Sequence, residues 1–206
     1  MTSNEFSLSP WLPVMNYFVI ASSPDESHVY VNDIPDEIRK QYQLIKGISR
    51  ARDWPADVQF RFSDEQPEGL MLTDFIENSF GWIVCSARLA RIVEQFAGGE
   101  VELLPVSILN HKGRVASDDY FIANPLRLIR AVDRANSVFV PDPNDPDLVF
   151  EFSSLALDAS ALAALPGIFR LGEEYMTILV RADLARAALD AGVTGVRFLE
   201  PAKYEQ

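Results

Sequence analysis

The chain has 206 residues, of which 48% are hydrophobic, 23% are charged and one is cysteine, and its formal net charge is −12. This hydrophobic fraction excludes a disordered chain and is sufficient for a buried core. The negative charge disfavours binding to nucleic acid or to an anionic membrane surface, and the single cysteine excludes a disulfide framework and a cysteine-rich zinc site.

Residues 1–69 are predicted to form an N-terminal α+β lobe. Residues 14–21 and 28–31 are rich in strand-forming side chains, and a Pro-Asp turn separates them. Apolar residues over 34–48 recur with helical spacing, which predicts a helix. An acidic loop that ends at Gly69 follows, and we place the lobe boundary there.

Residues 70–206 contain a strand–helix–strand pattern that occurs twice. Each copy has a short apolar strand, an amphipathic helix that ends in glycine, and a returning strand; the copies cover residues 83–109 and 178–199. The tripeptide Leu-Ala-Arg is identical in the two helices. Cys85 of the first copy occupies the position of Val180 in the second, so we expect Cys85 to be a buried core residue.

The segment between the two copies contains further elements. They are a helix that begins at Asn124-Pro125, a strand at 138–140, a rigid acidic loop at 141–147, a strand at 148–152 and a short alanine-rich helix at 159–165 capped by Asp158. Strands and helices of mixed spacing predict an α+β fold, a mostly antiparallel sheet with packed helices. One domain or two lobes, residues 1–69 and 70–206, both fit the pattern.

Sequence motifs for catalysis, cofactors and metals are absent. The chain has two histidines, and it contains no Gly-x-Ser-x-Gly, dinucleotide-binding or phosphate-binding loop. His111 with Asp118 or Asp119 is the one group that offers a base and carboxylates, although an exposed loop explains it equally. His28 is expected at the surface or half-buried. Residues 142–147 lack the spacing of a calcium loop, so we predict no catalytic residue, no cofactor and no metal.

Acidic residues are concentrated in three segments that contain no Lys or Arg. Residues 1–38 contain six acids, 62–87 contain five and 135–169 contain five, which gives −16, so the remainder carries +4. Such runs are commonly solvated loops, but they also attract basic partners. The residues predicted to contact a partner are Asp142, Asp145, Asp147, Asp64, Glu65 and Glu68.

The basic excess lies in residues 39–61, with six bases against two acids. Flanking acids would repel phosphates, so we interpret this segment as a solvated helix and not as a nucleic-acid site. The apolar residues 11–21 are too few to span a bilayer, and no basic segment of a signal peptide precedes them. These features predict a cytoplasmic protein without nucleic-acid or membrane partners.

Four short segments carry a family resemblance: residues 81–86, 120–137, 168–171 and 194–200. In this order they are similar to a family of bacterial immunity proteins from polymorphic toxin systems, the myxobacterial-type immunity domain. Four single residues also match the family pattern, namely Asp133, Ser137, Phe169 and Arg170.

The resemblance implies a binding protein and not an enzyme. Such a protein is encoded beside a toxin, often a nuclease, and neutralises it by stoichiometric complex formation; the family offers no catalytic residues. Two alternatives stay open at this point. One is a small hydrolase or transferase that uses His111 with Asp118 or Asp119, and the other is an adaptor whose partner is not a toxin. The sequence leaves the oligomeric state open.

Overall fold

The computed structural model describes residues 17–164 and 166–205. Those residues form thirteen strands: β1 (Tyr17–Ser22), β2 (Tyr30–Val31), β3 (Gln59–Arg61), β4 (Phe75–Asn78), β5 (Ile83–Ser86), β6 (Val101–Leu109), β7 (Val115–Pro125), β8 (Leu128–Ile129), β9 (Val138–Pro141), β10 (Val149–Ser154), β11 (Ile168–Leu171), β12 (Ile178–Arg181) and β13 (Val196–Leu199). They also form three α-helices, α1 (Tyr42–Ile45), α2 (Ala87–Ala97) and α3 (Ala182–Asp190), and 3-10 turns at Gly98–Glu100 and Pro201–Lys203.

The strands form two large sheets and one ribbon. The six-stranded sheet has the order β2-β4-β5-β7-β6-β3, the five-stranded sheet has the order β13-β1-β12-β11-β8, and β9 pairs with β10. Neighbouring strands are antiparallel except in the pairs β2/β4, β3/β6 and β8/β11. The predicted α+β fold, with a mostly antiparallel sheet and packed helices, is confirmed.

Both predicted strand–helix–strand units are present, and each encloses a third strand. In the first unit β5 and β6 lie on either side of β7, and in the second unit β12 and β13 lie on either side of β1. The middle strand is antiparallel to both neighbours in each unit. The two units therefore have the same arrangement, although β7 follows its unit in the chain and β1 comes from the opposite end of the chain.

The hydrophobic core has three parts, because successive side chains of a strand face opposite sides of its sheet. Cys85 of β5 and Val180 of β12 belong to a central cluster, which also contains the buried faces of α2 and α3. Val84 belongs to a second cluster on the other face of the six-stranded sheet. Leu179 belongs to a third cluster on the other face of the five-stranded sheet.

Cys85 is fully buried in this central cluster, as its correspondence with Val180 predicts. Burial raises the pKa of its thiol to about 12, because the thiolate would lose its hydration. Cys85 is thus a small core side chain, and its thiol is not activated for chemistry.

Asp74 connects the two units through its carboxylate. One oxygen accepts a hydrogen bond from Ser86 Oγ at 2.6 Å, and the other accepts from Thr194 N at 2.9 Å and from Thr194 Oγ1 at 3.0 Å. Ser86 is the N-cap of α2, where its Oγ also accepts a hydrogen bond from Leu89 N. Arg88 lies 3.5 Å from the same carboxylate. One side chain therefore joins the start of α2 to the turn before β13.

The helix predicted over residues 34–48 is wrong except for one turn, α1 (Tyr42–Ile45). Lys40 has a φ of 57°, in the left-handed region that interrupts a right-handed helix. Gly47, with a φ of 63°, ends the turn, and Ile48 N bonds back to Gln43 O at 2.9 Å. The apolar spacing instead places Ile38 and Leu44 in the second hydrophobic cluster without a continuous helix.

The helix predicted to begin at Asn124-Pro125 is also wrong, because β7 continues to Pro125. Asn124 faces Glu102 in the strand ladder, and its side-chain amide donates to Glu102 Oε1 at 2.7 Å. Residues 159–164 form turns where the sequence predicts a helix over 159–165, and position 165 lies outside the described residues. The Asp158 carboxylate does accept hydrogen bonds from Ser160, so the cap-like contact forms without a helix.

Residues 17–69 supply strands to both large sheets. β1 lies inside the five-stranded sheet, whereas β2 pairs with β4 and β3 pairs with β6 in the six-stranded sheet. A boundary at Gly69 would separate strands that hydrogen-bond within one sheet, and the division into 1–69 and 70–206 stays a prediction. Residues 1–16, which hold part of the first acidic segment and the start of the first predicted strand, lie outside the described residues.

Candidate functional site

The ribbon of β9 and β10 presents large apolar side chains to solvent. Val138, Val140 and Phe150 are 60%, 49% and 64% exposed, and we call these three side chains the ribbon face. Phe139 and Phe152 point the other way, into the third hydrophobic cluster, with ring centroids 6.3 Å apart. The ribbon thus has one side anchored on the core and one side that is apolar and uncovered.

A bulge in β10 brings an acid beside the ribbon face. Val149 pairs with Pro141 and Glu151 pairs with Val140, so that Phe150 and Glu151 together oppose Val140. A bulge of this kind places two consecutive residues opposite one residue of the partner strand. Phe150 and Glu151 are both exposed as a result.

The loop between β9 and β10, residues 142–147, carries three of the six acids predicted to contact a partner; we call it the ribbon loop. Asp142 Oδ1 accepts hydrogen bonds from Asn144 N at 2.7 Å and from Asp145 N at 3.1 Å. Asp145 Oδ1 in turn accepts from Asp147 N at 3.0 Å. Asp145 and Asp147 are exposed and Asp142 is half-buried. The structure therefore brings these three carboxylates together on one ordered turn.

Arg134 holds the ribbon loop from outside the ribbon. Its guanidinium donates to the carbonyl oxygens of Pro146 at 2.7 Å and Asp147 at 3.0 Å. The same guanidinium lies over the ring of Phe139, 4.7 Å from its centroid. Arg134 thus contacts the backbone of the ribbon loop, and among the described residues it forms no ion pair with the three loop carboxylates.

The other predicted acids, Asp64, Glu65 and Glu68, lie on a second loop, residues 63–69, which we call the Gln66 loop. Asp64 Oδ1 is 3.3 Å from His111 Nδ1, and Glu65 accepts a hydrogen bond from Asn32 Nδ2 at 3.0 Å. All three acids are exposed. The side-chain amide of Gln66 fixes the loop by donating to three carbonyl oxygens, those of Asp25, Glu26 and His28.

The two acidic loops belong to different parts of the fold. The Gln66 loop follows Phe62 of the second hydrophobic cluster, whereas the ribbon loop is flanked by Phe139 and Val149 at the third cluster. Among the described residues no hydrogen bond or ion pair joins one loop to the other. The sequence cannot distinguish one acidic surface from two, and these contacts place the predicted acids in two separate groups.

The residues of the catalytic alternative are not assembled. His111 pairs with Asp64, and its ring packs edge-on against Phe62 with centroids 5.4 Å apart. Asp118 and Asp119 are exposed on β7, and no hydrogen bond or ion pair joins either of them to His111. The residues that the structure describes also contain no group of three His, Cys, Asp or Glu side chains arranged for a metal ion. His28 is half-buried, with Nδ1 3.2 Å from Ser23 O.

Two residues that match the family pattern, Asp133 and Ser137, stabilise the turn before β9. The Asp133 carboxylate accepts hydrogen bonds from the backbone N–H of Ala135 and Asn136. Ser137 Oγ accepts from Ala156 N at 2.9 Å and donates to Ala156 O at 3.2 Å. These contacts tie the base of the ribbon to the segment after β10, which is a structural role.

The other two matching residues, Phe169 and Arg170, lie in the interior on β11. Phe169 packs edge-on against Tyr17 with centroids 5.3 Å apart. Arg170 is 1% exposed, and its guanidinium donates to the carbonyl oxygens of Gly81, at 3.0 Å, and Tyr175. Burial lowers the pKa of Arg170 to about 10, and the negative charge of nearby Glu174 partly opposes that shift. Arg170 thus joins β11 to the loop before β5.

Comparison with known proteins gives one family. The model of an immunity protein family, Imm11, matches residues 20–203. Because the match covers most of the chain, the chain belongs to the Imm11 immunity protein family, in agreement with the resemblance in its second half. A search of curated proteins finds no match. No helix in the described part of the chain is long and apolar enough to cross a bilayer.

Proposed function

We propose that the chain protects its cell by binding a cognate bacterial toxin in a stoichiometric complex, without catalysing a reaction. The observation that carries the proposal is the Imm11 match over residues 20–203. The dispersed positions of His111, Asp118 and Asp119 favour binding over catalysis. The cytoplasm is part of the proposal, since that is where a producing cell would meet a toxin of this kind.

A basic toxin, such as a nuclease, is the partner that the charge fits best. A nuclease presents positive charge to the phosphates of its substrate, and an acidic protein can occupy the same surface. The net charge of −12 and the acids of the ribbon loop would also steer such a toxin toward the complex. Fast capture matters because the toxin turns over many substrate molecules once it is free.

Co-expression tests the function. Cells that produce the toxin encoded next to this chain should survive when the chain is present and die when it is absent. The absence of protection would reject the proposed function.

The mechanism requires a second measurement with purified proteins. Calorimetric titration of an inactivated toxin domain should give a complex of fixed stoichiometry, and size-exclusion chromatography should show the two proteins eluting together. Survival of the cells without a complex would reject neutralisation by binding and would require another route to protection.

A further inference from the structure

We propose that the ribbon face, with Glu151 and the ribbon loop around it, is the surface that binds the toxin. This inference rests on the proposed function and deepens it, because it assigns the contact to one part of the fold. The occupant to which we commit is a basic protein surface with an apolar centre. The Gln66 loop, on this assignment, contributes long-range charge and not direct contact.

The ribbon face is exposed to solvent. Three of the eleven large apolar side chains that are exposed among the described residues lie on this one ribbon, Phe150 most of all. Burying them against a partner would be favourable, since it removes apolar surface from water. Their neighbours Phe139 and Phe152 already supply the contacts that hold the ribbon on the core.

Acidic residues are close in sequence to that apolar centre. Residues 135–169 contain five acids and no Lys or Arg, and four of these acids lie in the ribbon loop or on β10. Protein interfaces commonly have an apolar centre and a polar rim. These four acids outnumber the one basic side chain that contacts the ribbon loop, Arg134, and the negative excess favours a basic partner over a neutral or acidic one.

The ribbon face is accessible, and hydrogen bonds preorganise the loop beside it. In the described part of the chain β9 pairs with β10 alone, so its outer edge forms no strand ladder. The ribbon loop is fixed by the bonds from Arg134 and by its own aspartate turns. An ordered surface loses less conformational entropy on binding, which favours tight association.

A pair of matched substitutions tests the assignment. Val140→Arg puts a positive charge into the ribbon face, and Val115→Arg puts the same charge on an equally exposed strand residue of β7. Binding to the inactivated toxin domain is measured for both, after thermal unfolding has shown that both remain folded. We expect Val140→Arg to weaken binding at least roughly tenfold and Val115→Arg to change it little. Phe150→Ala, which introduces no charge, should weaken binding by roughly 10- to 100-fold.

Hydrogen–deuterium exchange of the unmodified chain gives an independent measurement. Backbone amides of residues 138–152 should exchange more slowly in the toxin complex than in the free protein. This experiment decides the question even if a ribbon variant fails to fold. Slower exchange only at the Gln66 loop would overturn the assignment.

The other outcomes separate the inference from the proposed function. If the unmodified chain binds toxin and the ribbon variants bind equally well, the ribbon assignment is wrong while the proposed function stands. If the unmodified chain does not bind, both are wrong. A dimer of the chain alone that Val140→Arg dissociates would assign the ribbon face to a second copy and would also overturn the inference.

Discussion

Replacing Asp74 by alanine should destabilise the fold, because one carboxylate joins the start of α2 to the turn before β13. The change removes the acceptor of three hydrogen bonds, one from Ser86 and two from Thr194. Hydrogen bonds to a charged group contribute about 1.5–3 kcal/mol each, but these three share one carboxylate and do not add. Thr194 is exposed, so water replaces part of the loss.

We therefore expect Asp74→Ala to lower the free energy of unfolding by about 2–3 kcal/mol. The ion pair with Arg88 adds less than about 1 kcal/mol, because the Arg88 side chain is half exposed. For a chain of 206 residues, this loss corresponds to a fall in Tm of about 4–12 °C. Thermal unfolding followed by circular dichroism measures it, and Asp118→Ala, at an exposed aspartate of β7, is the matched control.

The same carboxylate makes a prediction about pH. Burial raises the pKa of Asp74, but the hydrogen bonds from Ser86 and Thr194, together with Arg88, outweigh burial and hold the pKa below its ordinary value of 3.8. Its stabilisation is therefore complete above that value and disappears as the pH falls through the lowered pKa. The stability difference between the unmodified chain and Asp74→Asn should be constant near neutral pH and should shrink in acid. Equal Tm values for Asp74→Ala and Asp118→Ala, or a difference that acid does not reduce, would refute the reasoning.

Three further predictions concern the core and the acidic loop. The Cys85 thiol, with its pKa raised to about 12, should resist iodoacetamide at pH 8 in the folded protein and react only in denaturant; rapid labelling of the folded protein would contradict its burial. Arg170→Met should lower the free energy of unfolding by about 2–4 kcal/mol in urea titrations, since the carbonyls of Gly81 and Tyr175 lose their buried donor. The exposed control Arg186→Met should lower it by less than about 0.5 kcal/mol. Changing the three aspartates of the ribbon loop to asparagine should slow toxin association several-fold at low salt and only slightly at high salt, as measured by stopped flow. An association rate that does not depend on salt would argue for an interface without charge steering.

Local sequence patterns predict the parts of the fold that depend on residues close together in the sequence. The repeated spacing around Cys85 and Val180 identified both strand–helix–strand units, because the helical period and the short apolar strands are encoded within about 25 residues. The spacing could not show that β1 lies between β12 and β13, since that pairing joins opposite ends of the chain. The helix predicted at Asn124-Pro125 is wrong for a similar reason. Proline suits the first turn of a helix, but pairing with β6, which is distant in sequence from the local pattern, keeps both residues in β7.

The sequence predicts the acidic residues of the candidate site but not which side chains are exposed beside them. The three aspartates of the ribbon loop are evident from the sequence, and their proximity follows from their spacing. The exposure of Glu151 beside Phe150 is not evident, because strict alternation after the buried Val149 would place Phe150 outward and Glu151 inward. The bulge that exposes both residues depends on the pairing with Val140. The sequence does contain an indication of an exposed apolar surface in residues 138–152, because both faces of the two strands there carry large apolar side chains.

The position of β1 has a consequence for synthesis of the protein on the ribosome. Every strand of the six-stranded sheet lies between residues 30 and 125, so that sheet can assemble while the rest is still being translated. The five-stranded sheet cannot assemble fully at that stage, because its first strand, β1, pairs with β12 and β13, which are translated after all the other described strands. The ribbon packs against the five-stranded sheet in the third hydrophobic cluster, which contains Phe152 of β10 and Leu179 of β12. A nascent chain therefore completes the sheet that supports the proposed toxin-binding ribbon only after β12 and β13 have been made, and we expect transcripts truncated before β12 to give no protection.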